Sequence, residues 1–528
     1  MPTPIENPPN LASAVLSTDS ADASVPVATK EDRYQDHFRT DHLLTNLKGR
    51  TIRSGAVTIS AQAGKFLLSL VSTMILARLL TPRDFGLVAM VTTVTGFLRV
   101  FKDAGLSIAT VQKERITHAQ VSNLFWINVA ISAATSLVIV AAAPAVAWFY
   151  HNHRLINIML LLSLTFIISG STIQHQALLK RQMRFKSLAL IDLSSMAFGV
   201  FVGVLMALRG CRYWSLVGSN LAMETAGLVL TWTVSRWRPQ LPTRHSGIRP
   251  MVSFGAHRAG GDFILALARG TDNLLIGRFY GSDSVGLYSR ASALLIQPLQ
   301  QFLLPVNAVF LPALSRLQSE PARYRSTFLR VYEAIALAGF AFTGLFLALA
   351  RPITLVLLGP KWIHAAVIVG GFTVAAFCLP LSNAAGWLFT SQGRGRDMFV
   401  AQVISAVFTV LSFLAGLPFG PVGVAIAYSL CSLLVRIPLY YYSVGRSGPV
   451  RTADLWIIFF RHLPVWAIVF FTTWGMLIMT SKFPPFSQLM VCGPVGLLSG
   501  AVAIGSFRSH RKVAAHLLET LRELKQGR

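Results

Sequence analysis

Met251–Phe279 reads MVSFGAHRAGGDFILALARGTDNLLIGRF. The run is long and mostly apolar, in the manner of a membrane span, yet it carries His257, Arg258, Asp262, Arg269, Asp272 and Asn273. Arg258, Asp262, Arg269 and Asp272 lie at offsets of 0, 4, 11 and 14, which puts all four on one face of an α-helix. An ionised side chain near the bilayer centre costs about 2.5–3.5 kcal/mol on insertion scales. Four on one helix therefore require that face to meet protein or a water-filled cavity, and not lipid.

The rest of the chain supplies the membrane context. Its 528 residues are 53% hydrophobic and only 13% charged, with a mean hydropathy of +0.56, whereas soluble domains are about a quarter charged. Apolar blocks of about 20 residues, the length a helix needs to cross hydrocarbon, recur along nearly the whole length. The composition predicts an all-α polytopic membrane protein, since a β-barrel would show short alternating strands. Spans are expected near 54–79, 85–108, 121–148, 156–176, 188–208, 213–235, 251–277, 285–313, 327–350, 363–390, 398–417, 421–443, 456–479 and 487–506, fourteen in all. Pro144, Pro298, Pro305 and Pro380 fall inside them and predict kinks.

A formal charge of +26 raises the question of nucleic acid. The basic residues are dispersed in short loops, which argues against nucleic acid and for topogenic charge held on the cytoplasmic side. With the N-terminus inside, inner loops and tails carry about three times the basic residues of the outer loops, which predicts both termini cytoplasmic. Residues 1–50 are rich in Pro, Ser, Ala and Thr and read as a disordered tail. Residues 507–528 read as a basic amphipathic tail, either on the membrane surface or solvated. Four widely spaced cysteines (Cys211, Cys378, Cys431, Cys492) show no metal-ligand spacing and read as free apolar residues. No nucleophile–base constellation or nucleotide loop points to an enzyme, and no cofactor or metal is expected.

An internal repeat gives the organisation. Gly55-Ala56 matches Gly255-Ala256, Arg78 matches Arg278, and Gly86-Leu87 matches Gly286-Leu287, all 200 residues apart without a gap. Such repeats are usual in transporters. They predict two pseudo-symmetric six-helix lobes (51–235 and 251–443), a connecting cytoplasmic loop (236–250) and two extra spans (444–506). The offset also aligns Thr58, Gln62, Lys65, Ser69, Ser72 and Thr73 with the charged face of the seventh span. Packed across a pseudo-twofold axis, the two faces would share a central cavity.

Leu76–Gly86 links the first two spans and reads as a helix start, with Thr81 as cap, Pro82 at the first position and Asp84 reaching back. Thr117-His118-Ala119-Gln120 reads the same way. Leu79-Leu80-Thr81-Pro82-x-Asp84-Phe85-Gly86, then Phe101-x-Asp103-x-Gly105-Leu106, then Leu124-Phe125-Trp126-x-Asn128, resemble the polysaccharide-transporter branch of the multidrug/oligosaccharidyl-lipid/polysaccharide exporter superfamily. The motif match covers about residues 50–150. The resemblance implies a V-shaped pair of lobes opening alternately to each side of a bacterial inner membrane. It also implies a cationic cavity for the diphosphate of a polyprenyl-linked glycan, as in flippases for O-antigen, capsule or exopolysaccharide units.

On that reading Lys65, Arg258 and Arg269, with Gln62 and Asn273, are candidate substrate ligands. Asp262, Asp272 and Glu224 are candidates for ion coupling or gating. The alternative for the seventh span is a closed set of ion pairs, Arg258–Asp262 and Arg269–Asp272. Asp192, Glu333 and Arg290 are weaker candidates that read as interhelical hydrogen bonds, and His175 reads as a satisfied polar contact. Trp148–Tyr150 and Tyr440–Tyr442 read as interfacial belt residues. Implied partners are the lipid-linked glycan, membrane lipids, and polysaccharide polymerase and chain-length machinery. An ion-coupled drug or cation antiporter of the same superfamily is the competing function.

Overall fold

Helix α1 (Leu47–Leu79) ends because the next residues start another helix. The Thr81 amide donates to Asp84 Oδ2 at 3.0 Å, and the Asp84 amide donates to Thr81 Oγ1 at 3.3 Å. With Pro82 at its first position, α2 (Pro82–Arg99) starts here. The computed structural model describes residues 47–99, 106–113, 116–243 and 249–506, and among these the structure is helical with no strand. The side chains of residues 249–269 lie outside the described set, and with them Arg258, Asp262 and Arg269. The tails 1–46 and 507–528 also lie outside it.

The remaining helices of the first half are α3 (Leu106–Gln112), α4 (His118–Phe149), α5 (Arg154–Arg181), α6 (Phe185–Leu208) and α7 (Trp214–Ser235). A reciprocal box between Thr117 and Gln120 caps α4 as predicted. The second half opens with α8 (Arg249–Arg316), which Gly281 breaks into two by adopting φ 77°, a left-handed conformation that suits glycine. The break at 281 stands 200 residues after the α1–α2 break at 81. Then follow α9 (Pro321–Ala348), α10 (Ala350–Leu357), α11 (Ile363–Ser391), α12 (Gly395–Gly416), α13 (Gly420–Cys431) and α14 (Ile437–Gly445), with a π-helical turn, Ser432–Arg436, joining the last two. The chain closes with α15 (Thr452–Met479) and α16 (Pro485–Ser506). A helix lies over each of the fourteen predicted spans, although α2 ends at Arg99, short of the predicted 108. The helices run on through Pro144, Pro298, Pro305 and Pro380.

Burial follows the logic of a bilayer. Large apolar side chains such as Leu137, Leu434 and Val502 are about two-thirds exposed (69%, 67% and 66%), on faces that hydrocarbon covers. Serines, threonines and Asn128 are buried between helices. Helix α2 carries Arg83, Asp84 and Arg99 and is not apolar enough to pass as a span on composition alone; it packs along α8. The largest core cluster joins the two halves, with Leu76, Phe85 and Ile158 against Val285, Tyr288 and Trp362. A second cluster holds α15 to the second half through Phe340, Phe459 and Tyr441.

Ion pairs reinforce that attachment. Arg325 on α9 donates to Asp454 at the start of α15 at 2.6 and 3.0 Å. Deeper in, Arg461 of α15 donates to Glu333 of α9 at 2.9 Å. Glu333 is thus an interhelical contact, as its sequence position suggested. Hydrogen bonds from Arg325 hold the Asp454 carboxyl below its ordinary 3.8. A depressed carboxylate stabilises the fold above its unfolded pKa and loses that contribution as pH falls through the folded one. Melting midpoints of the parent and of Arg325→Ala should therefore differ at pH 7 and converge as pH drops below about 4. A partly exposed pair of this kind contributes at most about 1 kcal/mol, so the gap should be small.

The connector after α7 is stitched to the first half. Trp237 is fully buried. The Asn123 side chain donates to Thr243 O at 2.7 Å and accepts from the Thr243 amide at 2.9 Å. The Trp126 indole donates to Gln240 O, and His118 bridges Arg238 O and the Gln240 side chain. Beside this strap His175 is fully buried and stacked on Trp232, with ring centroids 4.6 Å apart. Phe125 and Trp237 box it in, and neither ring nitrogen makes a hydrogen bond of ordinary geometry. The sequence reading of His175 as a satisfied polar contact is therefore corrected: it fills an aromatic box. The belt reading is corrected in part. Trp148 and Tyr442 are exposed at 78% and 62%, but Tyr150 packs on Gly277, and Tyr441 is buried and hydrogen-bonded to Tyr332.

Candidate functional site

Charge inside the apolar bundle marks the site. Lys65, near the middle of α1, pairs with Asp192 of α6. The two side chains keep 34% and 38% of their exposure. An ion pair that open does not face hydrocarbon, so it borders an interior space. The sequence placed Asp262 and Asp272 as the carboxylates that neutralise the site cations; for Lys65 the partner is Asp192 instead. On the second half, Asp272 accepts from the Tyr288 hydroxyl at 3.1 Å and from the Asn273 amide at 2.7 Å. The Asn273 side-chain oxygen is buried without a partner. Gln62 and Glu224 are partly buried with no hydrogen-bond partner among the described residues. No contact among the described residues joins the Lys65 pair to Asp272.

Arg290 on α8 lies over the Phe85 ring of α2, its Cζ 4.8 Å from the centroid, and its Nε has no partner. A cation on a ring face is held by the ring quadrupole without being neutralised. The sequence position of Arg290 predicts an interhelical hydrogen bond, and its contact with α2 is instead this ring face.

The two halves close on each other at the end carrying Leu80 and Gly281. A Cβ on Gly86 would lie 1.7 Å from Ser282 O, and one on Gly286 would lie 1.9 Å from Pro82 O. These are the same contact with every number exchanged across the 200-residue offset. Arg78 donates to Val356 O at 2.8 Å, while its counterpart Arg278 meets His151 Nδ1 at 3.1 Å. Each arginine reaches from its own half to the other. The Trp362 indole donates to Ala77 O at 2.9 Å and packs edge-on against Phe85. Backbone-to-backbone approach at two equivalent glycines, flanked by two equivalent arginines, makes this end a closed seam.

A polytopic helical protein with charge held inside and one end sealed by a symmetric seam has the construction of a membrane transporter. The chain belongs to the polysaccharide biosynthesis protein family, whose model matches residues 75–367, well past the stretch that carried the motifs. It is 26% identical to the teichuronic acid biosynthesis protein TuaB of Bacillus subtilis, over 68% of this chain and 73% of that one. It is 28% identical to the succinoglycan biosynthesis transport protein ExoT of Rhizobium meliloti, over 67% and 71%. Among solved structures, the lipid II flippase MurJ in an inward closed conformation superimposes with a TM-score of 0.66 at 12% identity, covering 86% of this chain and 99% of that one. An inward-facing multidrug transporter of the MATE family gives 0.56 at 15% identity, covering 76% and 99%. At those identities the structures establish the shared fold alone. The protein is a membrane transporter of polysaccharide biosynthesis, not an enzyme.

Proposed function

We propose that the protein is a flippase that carries a polyprenyl-diphosphate-linked oligosaccharide repeat unit from the cytoplasmic to the outer leaflet of a bacterial inner membrane. The observation that carries this reading is the reciprocal Gly86/Gly286 seam. A seam made of matched backbone contacts can part as a unit, and its opening would expose the charged interior to the outer side. In this assignment the Gly281 end is the outer end and both termini are cytoplasmic. Lys65 and Arg290, with Arg258 and Arg269, would draw the diphosphate, for which arginine offers paired donors. Asp192 holds Lys65 while the site is empty, and Asp272 and Glu224 are the groups to examine for ion coupling. The isoprenoid tail would stay in the bilayer beside the protein. Polymerase and chain-length machinery would take the product.

The test is deletion and complementation. Deletion should remove the surface polysaccharide and cause its lipid-linked repeat unit to accumulate on the inner leaflet, with both restored by the intact chain. Normal polysaccharide together with new drug sensitivity would overturn the assignment in favour of a drug or cation antiporter.

A further inference from the structure

Arg436 differs from three other arginines of the second half. Arg325, Arg394 and Arg461 each meet a carboxylate, on Asp454, Asp397 and Glu333. Arg436 meets only hydroxyls: its Nε donates to Ser405 Oγ at 3.0 Å, and its Nη1 donates to the Tyr428 hydroxyl at 2.9 Å and to Ser432 Oγ at 3.4 Å. The guanidinium also leans over the Tyr428 ring, 5.6 Å from its centroid. Ser405 and Ser432 are 5% and 2% exposed, inside the lobe between α12 and the π-helical turn. Turns of that kind are rare and recur at functional sites.

Donors and acceptors do not balance here. Each of the three hydroxyls spends an acceptor lone pair on Arg436 and retains its own O–H. Ser382 and Thr409 return theirs to the carbonyl four residues back. Ser405, Ser432 and Tyr428 donate to nothing among the described residues, and neither does Arg436 Nη2. The cluster therefore offers a full positive charge and spare O–H and N–H donors, with no carboxylate among its partners. An unneutralised charge at this depth costs about 2.5–3.5 kcal/mol on insertion scales. We propose that Arg436, Ser405, Tyr428 and Ser432 form an anion site inside the second half, which takes a small monovalent anion of the halide class.

The proposal stands whatever cargo the transporter carries. Purified full-length protein would be melted in sodium gluconate replaced stepwise by sodium chloride at constant ionic strength, so that screening of surface charge does not change. The midpoint should rise with the logarithm of chloride concentration, as linkage to a bound ligand requires. Arg436→Gln should abolish the rise. Tyr428→Phe and Ser405→Ala keep the charge but remove a donor, and each should shift the curve severalfold toward higher chloride. A flat response in the parent protein, or an undiminished one in Arg436→Gln, would overturn the site. Should Arg436→Gln not fold, Tyr428→Phe decides: a curve identical to the parent's rejects the proposal.

Discussion

Gly86→Val should abolish export while leaving the protein inserted in the membrane. The added Cβ would stand 1.7 Å from Ser282 O, a backbone atom with no rotamer to escape into. Overpacking of this kind costs about 1–3 kcal/mol even where side chains can yield. The cost falls on the arrangement in which the seam is closed and spares the one in which it is open. Each 1.4 kcal/mol is a factor of ten, so the closed state should lose about one to two orders of magnitude in population. Val285, fully buried in the seam, provides the readout. Under the proposed orientation, the thiol of Val285→Cys should resist an impermeant maleimide added outside and become reactive when Gly86→Val is also present. Gly286→Val should behave in the same way, because its contact is the mirror of the first. Normal export by either valine variant, with the thiol reactive, would show that the seam need not close.

The second large effect concerns Lys65 and Asp192. Asp192→Asn removes the carboxylate and strands a lysine in the middle of the bundle. The full insertion penalty of about 2.5–3.5 kcal/mol overstates the loss, since the pair keeps about a third of its exposure and solvent screens it. A several-fold fall in membrane abundance is expected. Lys65→Met with Asp192→Leu should restore abundance by removing both charges. Export then separates the two roles. If Lys65 meets the diphosphate, the apolar double variant stays silent despite normal abundance; if the pair only joins α1 to α6, it exports. Lys65→Asp with Asp192→Lys restores the pair while moving the cation to the other helix, and should export less than the parent if the position of the charge matters.

Much of the architecture was readable because it rests on local or strictly periodic signals. Apolar runs of spanning length gave the helices, and Thr81 with Asp84 gave the start of α2. The 200-residue offset matched Gly86 with Gly286 and Arg78 with Arg278, which stand at equivalent places in the seam. What escaped depends on contacts between residues far apart in the chain. Lys65 and Asp192 are 127 positions apart, and nothing local links them. Tyr150 and Tyr441 sit in runs that look interfacial, yet Gly277 opens a recess for one and Tyr332 binds the other. His175 between two glutamines looks polar, and only the return of the chain at Trp237 encloses it in rings. Arg436 went unremarked although Tyr428, Ser432 and Arg436, at four-residue steps, already place polar groups along one helical face of an apolar span.

The strap after α7 sets a mechanical limit on the transport cycle. Because Asn123, Ser122, His118 and Trp126 tie residues 238–243 to the first half, the length of chain left as a leash between this strap and α8 is only that from Thr243 to Arg249. Six peptide steps reach at most about 21 Å when fully stretched. The end of the bundle opposite the seam can therefore gape only as far as that leash allows. Loosening the strap, for instance with Asn123→Ala, would lengthen the leash without touching any group inside the bundle.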